Sequence, residues 1–145
     1  MKKCEDVFET SKKFLEKYKL KKDFDFLIVD FHAEITSEKN ALGHPFDGKA
    51  TLVAGTNTHI TTNDARILKN GTAYQTDAGM CGVFDTVAGM NKDNSLNRFM
   101  KKDSVKHFPA KGDATLSGVI VECNIETGLA KKIDSYIFGG QLKNT

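Results

Sequence analysis

Two short apolar runs, "FLIV" within "DFDFLIVDF" and then "TLVAG", flank a 17-residue connection from Ala33 to Lys49. That spacing limits the possible folds more than any other feature of the chain. The first run is nearly continuous in apolar residues, which predicts a strand covered on both faces. Within the connection, Thr36 or Ser37 is placed to cap a helix that runs to about Leu42, is closed by Gly43, and is followed by Pro45. Two strands joined through a helix make a βαβ unit, whose strands are parallel and whose crossover is right-handed.

Other segments extend this reading. From Glu5 to Lys19 the apolar residues Val7, Phe8, Phe14, Leu15 and Tyr18 recur at helical spacing, and the "KLKK" that follows reads as a solvated helix end. "ARILKNGTAYQT" predicts a β-hairpin, with Asn70-Gly71 as the positive-φ pair of a type I′ turn. Asp77 to Met90 carries three glycines, Gly79, Gly82 and Gly89, without a clear period and reads as an ordered loop. A short helix is expected over Asp93 to Lys102, with Leu96, Phe99 and Met100 inward. "VKHF", "ATLSGVIVECNI" and "LAKKIDSYIF" read as strands, the last two joined by "ETG". The fold class is therefore α/β, one βαβ unit followed by antiparallel hairpins, in a single domain spanning 1–145.

Composition removes several function classes. With 39% hydrophobic and 28% charged residues the chain is of ordinary globular type. No apolar run approaches a membrane span, and the basic N-terminus has no apolar segment behind it, so no membrane and no secretory signal are expected. A net charge of +2 gives no indication of a nucleic-acid polymer as partner. Three widely spaced cysteines, Cys4, Cys81 and Cys123, fit neither a disulfide framework nor paired metal spacing, and point to a reducing, cytoplasmic setting.

Chemistry is expected where parallel strands end, because loops converge there. His32 follows the first predicted strand and His59 lies four residues beyond the second, which places both on one rim of the sheet. Two convergent imidazoles can begin a metal site, or each can be a polar cap on a strand end. His44 reads as a surface residue, His107 as structural and Cys81 as an inert thiol. Asp77 and Asp85 are considered as a carboxylate pair, but with no acid or base beside them they read as loop aspartates. "GTNTH" has one glycine and no Gly-Lys-Ser/Thr, so it is a weak phosphate cradle.

The blocks "VDFHAEITSEKNALG", "VAGTNTHITTNDARIL" and "NGTAYQTDAGMCGVFDTVAGM" closely resemble the C-terminal half of YmdB-like proteins, which are calcineurin-like metallophosphoesterases. The resemblance runs from about Asp25 to near the C-terminus. It implies half of an α-β-β-α sandwich and a divalent metal pair, of iron or manganese class, that hydrolyses phosphodiesters including cyclic nucleotides. His32 matches the ligand of the family's F-H-A-E-x-T-S-E-K block, and His59 the second ligand of its G-T-H-T-H block. Asn57 stands where that block has its first histidine, so an amide oxygen replaces an imidazole.

The resemblance also implies that an aspartate, a bridging glutamate and an asparagine-histidine pair that supplies the general acid belong to an N-terminal half not matched by this sequence. Paired cations roughly 3.5–4 Å apart need bridging and anionic ligands, which two imidazoles and one amide do not supply. The expectation is thus a truncated or split phosphodiesterase, inactive alone, whose partner is a complementary N-terminal half-chain. The other expectations are a degenerate remnant and a non-catalytic binding or assembly module. That module would be a homo-oligomer using the Asp77–Met90 loop and the C-terminal hairpins.

Overall fold

A computed structural model of the protein describes residues 5–102 and 106–145. The first helix, α1 (Val7–Lys17), is capped by Asp6, whose carboxylate accepts a 2.8 Å bond from the Glu9 N–H. "KLKK" proves to lie in the turn beyond it rather than at the helix end. There the Lys19 ammonium donates to the Leu15 carbonyl, where the helix leaves its last acceptors open. Phe14, Tyr18 and Phe24 cluster with ring centroids 5.1 to 6.2 Å apart and turn the chain into the first strand.

Strand β1 (Ile28–His32), helix α2 (Thr36–Phe46) and strand β2 (Leu52–Thr56) form the expected βαβ unit, with β1 and β2 parallel from Ile28↔Leu52 to His32↔Thr56. Two local expectations fail. The residue at the N-cap of α2 is Ile35, and no side chain caps it, so neither Thr36 nor Ser37 serves. Nor does the helix stop at Gly43. It continues through Pro45 because Gly43 lies under the Tyr74 ring, where a Cβ would come within 2.8 Å of ring carbons, and because Phe46 is buried one turn on. Pro45 costs little so near the end, where the final turn closes through the Asp47 N–H to the His44 carbonyl. His44 is exposed as expected, but on this helix rather than in a loop.

β3 (Arg66–Ile67) and β4 (Ala73–Gln75) complete a four-stranded sheet of order β1-β2-β4-β3, with β4 parallel to β2 and antiparallel to β3. The hairpin is present, but its turn is not type I′: only Gly71 has positive φ, and the Gly71 N–H bonds to the Leu68 carbonyl. One face of the sheet carries the core, Leu15, Leu42, Phe46, Val53 and Tyr74. β1 is an edge strand covered on that face alone. Val29 and Phe31 pack on the core, whereas Ile28, 69% exposed, Asp30 and His32 face outward. The strand expected to be covered on both sides is therefore half-covered among the described residues.

α3 (Lys92–Phe99) is capped by Asn91 and reverses its expected orientation. Asn94 and Ser95 are buried, while Leu96, Phe99 and Met100 are exposed. Of "VKHF", Val105 lies outside the described residues and Lys106 to Phe108 form no strand; Cys4 also lies outside them. β5 (Leu116–Cys123) and β6 (Ala130–Phe138) pair antiparallel as expected, in a separate two-stranded ribbon whose β6 packs on β3 and β4. Within the described residues no helix is long and apolar enough to cross a membrane.

Candidate functional site

His32, Asn57 and His59 line one small cleft of about 180 Å³ at the carboxyl ends of β1 and β2, with Thr56, Gly79 and Met80. Sequence register explains the first contact. His32 and Thr56 are direct partners in the parallel ladder, and His32 Nδ1 lies 3.1 Å from Thr56 Oγ1. That hydroxyl also donates to Asp30 at 3.2 Å, an arrangement in which its oxygen accepts from the ring. His32 consequently carries a proton on Nδ1, and in the neutral ring the lone pair sits on Nε2. His59 Nδ1 is 3.0 Å from the Ala88 carbonyl, which can only accept. The same tautomer follows. Asn57 Nδ2 donates at 2.8 Å to the Glu34 carboxylate, which fixes the amide and leaves Oδ1 out of that bond.

Three ligand-type atoms, two Nε2 and one Oδ1, are thus oriented by partners behind them, as metal-binding side chains are. The donor set fits a divalent ion only in part. Among the described residues no group of three or more His, Cys, Asp or Glu side chains is placed to hold a metal.

The loop that carries these groups is strained. Asn57 and His59 have φ of 126° and 62°, and Ala88, across the His59 bond, has 51°. Non-glycine residues rarely occupy this region, and such outliers persist where surrounding contacts over-determine them. The contacts come from Asp77. Its carboxylate is wholly buried and accepts from the Lys39 ammonium at 2.8 Å, from the Thr58 N–H at 2.9 Å and from the Gly79 N–H at 3.0 Å. Burial works against its charge, but Lys39 and the two backbone donors outweigh it and hold the carboxyl below the ordinary carboxylate range. Asp77 thereby clamps the backbone between Asn57 and His59. Gly55 lets the strands close over this pair, since a Cβ there would meet the Thr76 carbonyl at 1.9 Å and Lys39 at 3.0 Å.

A second carboxylate, Asp64, lies behind the same loop. Burial would raise its pKa, yet bonds from Thr76, Thr62 and Arg66 bring it down to about 2.

Lys39 and Asp77 are the residues that sequence reasoning missed. A lysine on a helix ordinarily reads as solvated, and Asp77 reads as a loop aspartate. Asp77 and Asp85 do not work as a pair, since each has its own cation, Lys39 for Asp77 and Lys92 for Asp85. Cys81 is exposed, with its Sγ 3.3 Å from the Ser117 carbonyl. His107 Nε2 lies 3.2 Å from the buried Ser95 hydroxyl.

The profile of the YmdB-like protein family matches residues 1–136. The chain belongs to that family. It is 47% identical over 109 residues to a Bacillus subtilis strain 168 protein named 2′,3′-cyclic-nucleotide 2′-phosphodiesterase, a match that covers 75% of this chain and 41% of that protein. A Mycoplasma pneumoniae relative is 46% identical over 124 residues, 83% of this chain and 44% of its own length. Among solved structures, a novel phosphatase from Mycoplasma pneumoniae superposes with a TM-score of 0.84 at 38% identity. That match covers 94% of this chain and 48% of the phosphatase. A hypothetical protein from Thermus thermophilus gives 0.83 at 35% identity, covering 97% and 54%. This YmdB-like chain therefore spans less than half the length of the curated relatives it matches, and its α/β architecture is that of phosphatase folds.

Proposed function

We propose that this YmdB-like chain supplies one wall of a metal-dependent phosphodiesterase site, with His32 Nε2, His59 Nε2 and Asn57 Oδ1 as its metal-facing atoms. The observation that carries the reading is the pair of histidines whose Nδ1 atoms are both tied back, so that both Nε2 atoms are offered as ligands. A divalent metal pair of iron or manganese class would supply an activated water and neutralise phosphoryl charge. The role of this chain is to hold those donors in place. Thr56 and Asp30 orient His32, Ala88 orients His59, Glu34 orients Asn57, and the Lys39–Asp77 pair fixes the loop between them.

With no carboxylate bridging these atoms, the anionic ligands and the general acid come from outside this set. In this reading they belong to a complementary segment equivalent to the other half of the family's domain, and the chain by itself is inactive. The substrate class is a nucleoside phosphodiester of cyclic type, by likeness to the relative named for that activity. Co-expressing the chain with an N-terminal half from a family member, then assaying bis(p-nitrophenyl) phosphate with manganese, should give turnover only in the combination. No turnover in any combination would reject the proposal. In the reconstituted complex, Asn57→His should raise both manganese affinity and rate, because imidazole is a better donor than an amide oxygen for such ions.

A further inference from the structure

A larger cleft of about 570 Å³ adjoins the first one, and His59 lines both. His59 and Ala88, joined by a 3.0 Å hydrogen bond, both line the larger cleft. Val87, Met90 and Phe99 give this cleft apolar walls, while Arg98 and His107 bring polar nitrogen groups to it. Phe99 is 77% exposed, on a helix whose buried positions are the polar Asn94 and Ser95. An exposed aromatic ring and a guanidinium lining one cleft suit a flat heterocycle joined to an anion. Among the described residues Arg98 has no carboxylate partner. The buried Ser95 hydroxyl holds His107 by Nε2, which leaves Nδ1 out of that bond.

We propose that this cleft is a nucleobase subsite. A base would lie on Phe99 between Met90 and Arg98, while the phosphate it is attached to reaches the His32–Asn57–His59 cleft through the shared His59. The volume is within the range of small-ligand sites. The identity of the phosphate end rests on the phosphodiesterase reading, whereas the base end rests on this cleft alone.

The test is equilibrium binding to the full chain, by calorimetry and by NMR of the histidine and methionine side chains. The probes are adenosine, adenosine 2′,3′-cyclic phosphate, and the base-free methyl ribofuranoside 2,3-cyclic phosphate. Both adenosine probes should bind with shifts at Met90 and His107, and the cyclic nucleotide should bind at least about fivefold more tightly than its base-free counterpart. Phe99→Ala should abolish that preference and Phe99→Tyr should keep it. The exposure of Phe99 means that neither change disturbs the core.

Equal affinity with and without the base, an unaffected Phe99→Ala variant, or no binding of adenosine would each overturn the subsite. None of these bears on the complementation assay, in which bis(p-nitrophenyl) phosphate has no nucleobase to place. Base-selective binding without turnover in that assay would instead remove the catalytic reading and leave the subsite standing.

Discussion

Around Asp77 the polar groups are buried and bonded to one another, whereas along the β5–β6 ribbon charges and apolar side chains alike face outward. Lys39 and Asp77 are each about 1% exposed at their side chains, but the ribbon's Lys132–Asp134 pair is 59% and 50% exposed. Leu116, Ile120 and Phe138 on the ribbon are each half exposed or more, while Leu42 and Tyr74 beside the sheet are about 1% exposed. The contrast separates a buried, mutually bonded network from a solvated one. A buried ion pair is tolerable only with every lone pair satisfied, and once satisfied it becomes very sensitive to loss of one partner. The rim that carries His32 and His59 rests on such a pair, so its geometry is tied to global folding. The outward-facing side chains of the ribbon make no comparable buried pair among the described residues.

The sharpest way to break this contrast is to remove one cation from each region. Lys39→Met leaves the Asp77 carboxylate buried without its partner and should cost about 3–5 kcal/mol in urea denaturation. Lys132→Met should leave the denaturation midpoint unchanged. Equal effects would show that the Asp77 network is not the anchor. Packing gives the next largest difference. Leu42→Ala should lose about 2–5 kcal/mol by the same measurement, and Ile120→Ala on the ribbon should stay within about 0.5 kcal/mol.

Acid gives a smaller and separable signal. A carboxyl held below its ordinary value of 3.8 stabilises the fold fully above that pH and loses the contribution as pH falls toward its folded-state value, about 2 for Asp64. Asp77 is shifted in the same direction. Stability should therefore decline from about pH 4 to about pH 2, and Asp64→Asn should flatten that decline by at most about 2 kcal/mol, partial solvent exposure reducing the figure. A decline of unaltered slope in the variant would locate the acid sensitivity elsewhere.

The least disruptive change is Thr56→Val, which removes the hydroxyl between His32 and Asp30. Global stability should move little, but ¹⁵N chemical shifts of His32 should report loss of its dominant Nδ1–H tautomer. A tautomer indifferent to this change would mean that the relay does not orient the ring.

Much of the site was legible in the chain because it follows from strand order. Two parallel strands with histidines just after them must bring those histidines to one rim, and the ladder places His32 opposite Thr56. Asn57 is next in line on the same loop. Which nitrogen of each ring is free was not legible, since Ala88, which fixes His59, is 29 residues away. The orientation of α3 is hidden from local sequence for a related reason. Phe99 and Met100 suit a buried face by composition, but the tertiary structure buries Asn94 and Ser95, giving the Asn94 amide N–H the Lys106 carbonyl and the Ser95 hydroxyl His107 as partners while Asn94 Oδ1 is left without one.

Local sequence by itself determined the βαβ unit, both hairpins and the meeting of the two histidines, because side-chain periodicity and strand direction act over a few neighbours. Tertiary structure alone decided that Lys39 would be buried and that α2 would run on through Gly43. Each of these depends on a surface brought from far along the chain, Asp77 in the first case and the Tyr74 ring in the second, and no local pattern carries the free energy of a contact whose partner lies some thirty residues or more away.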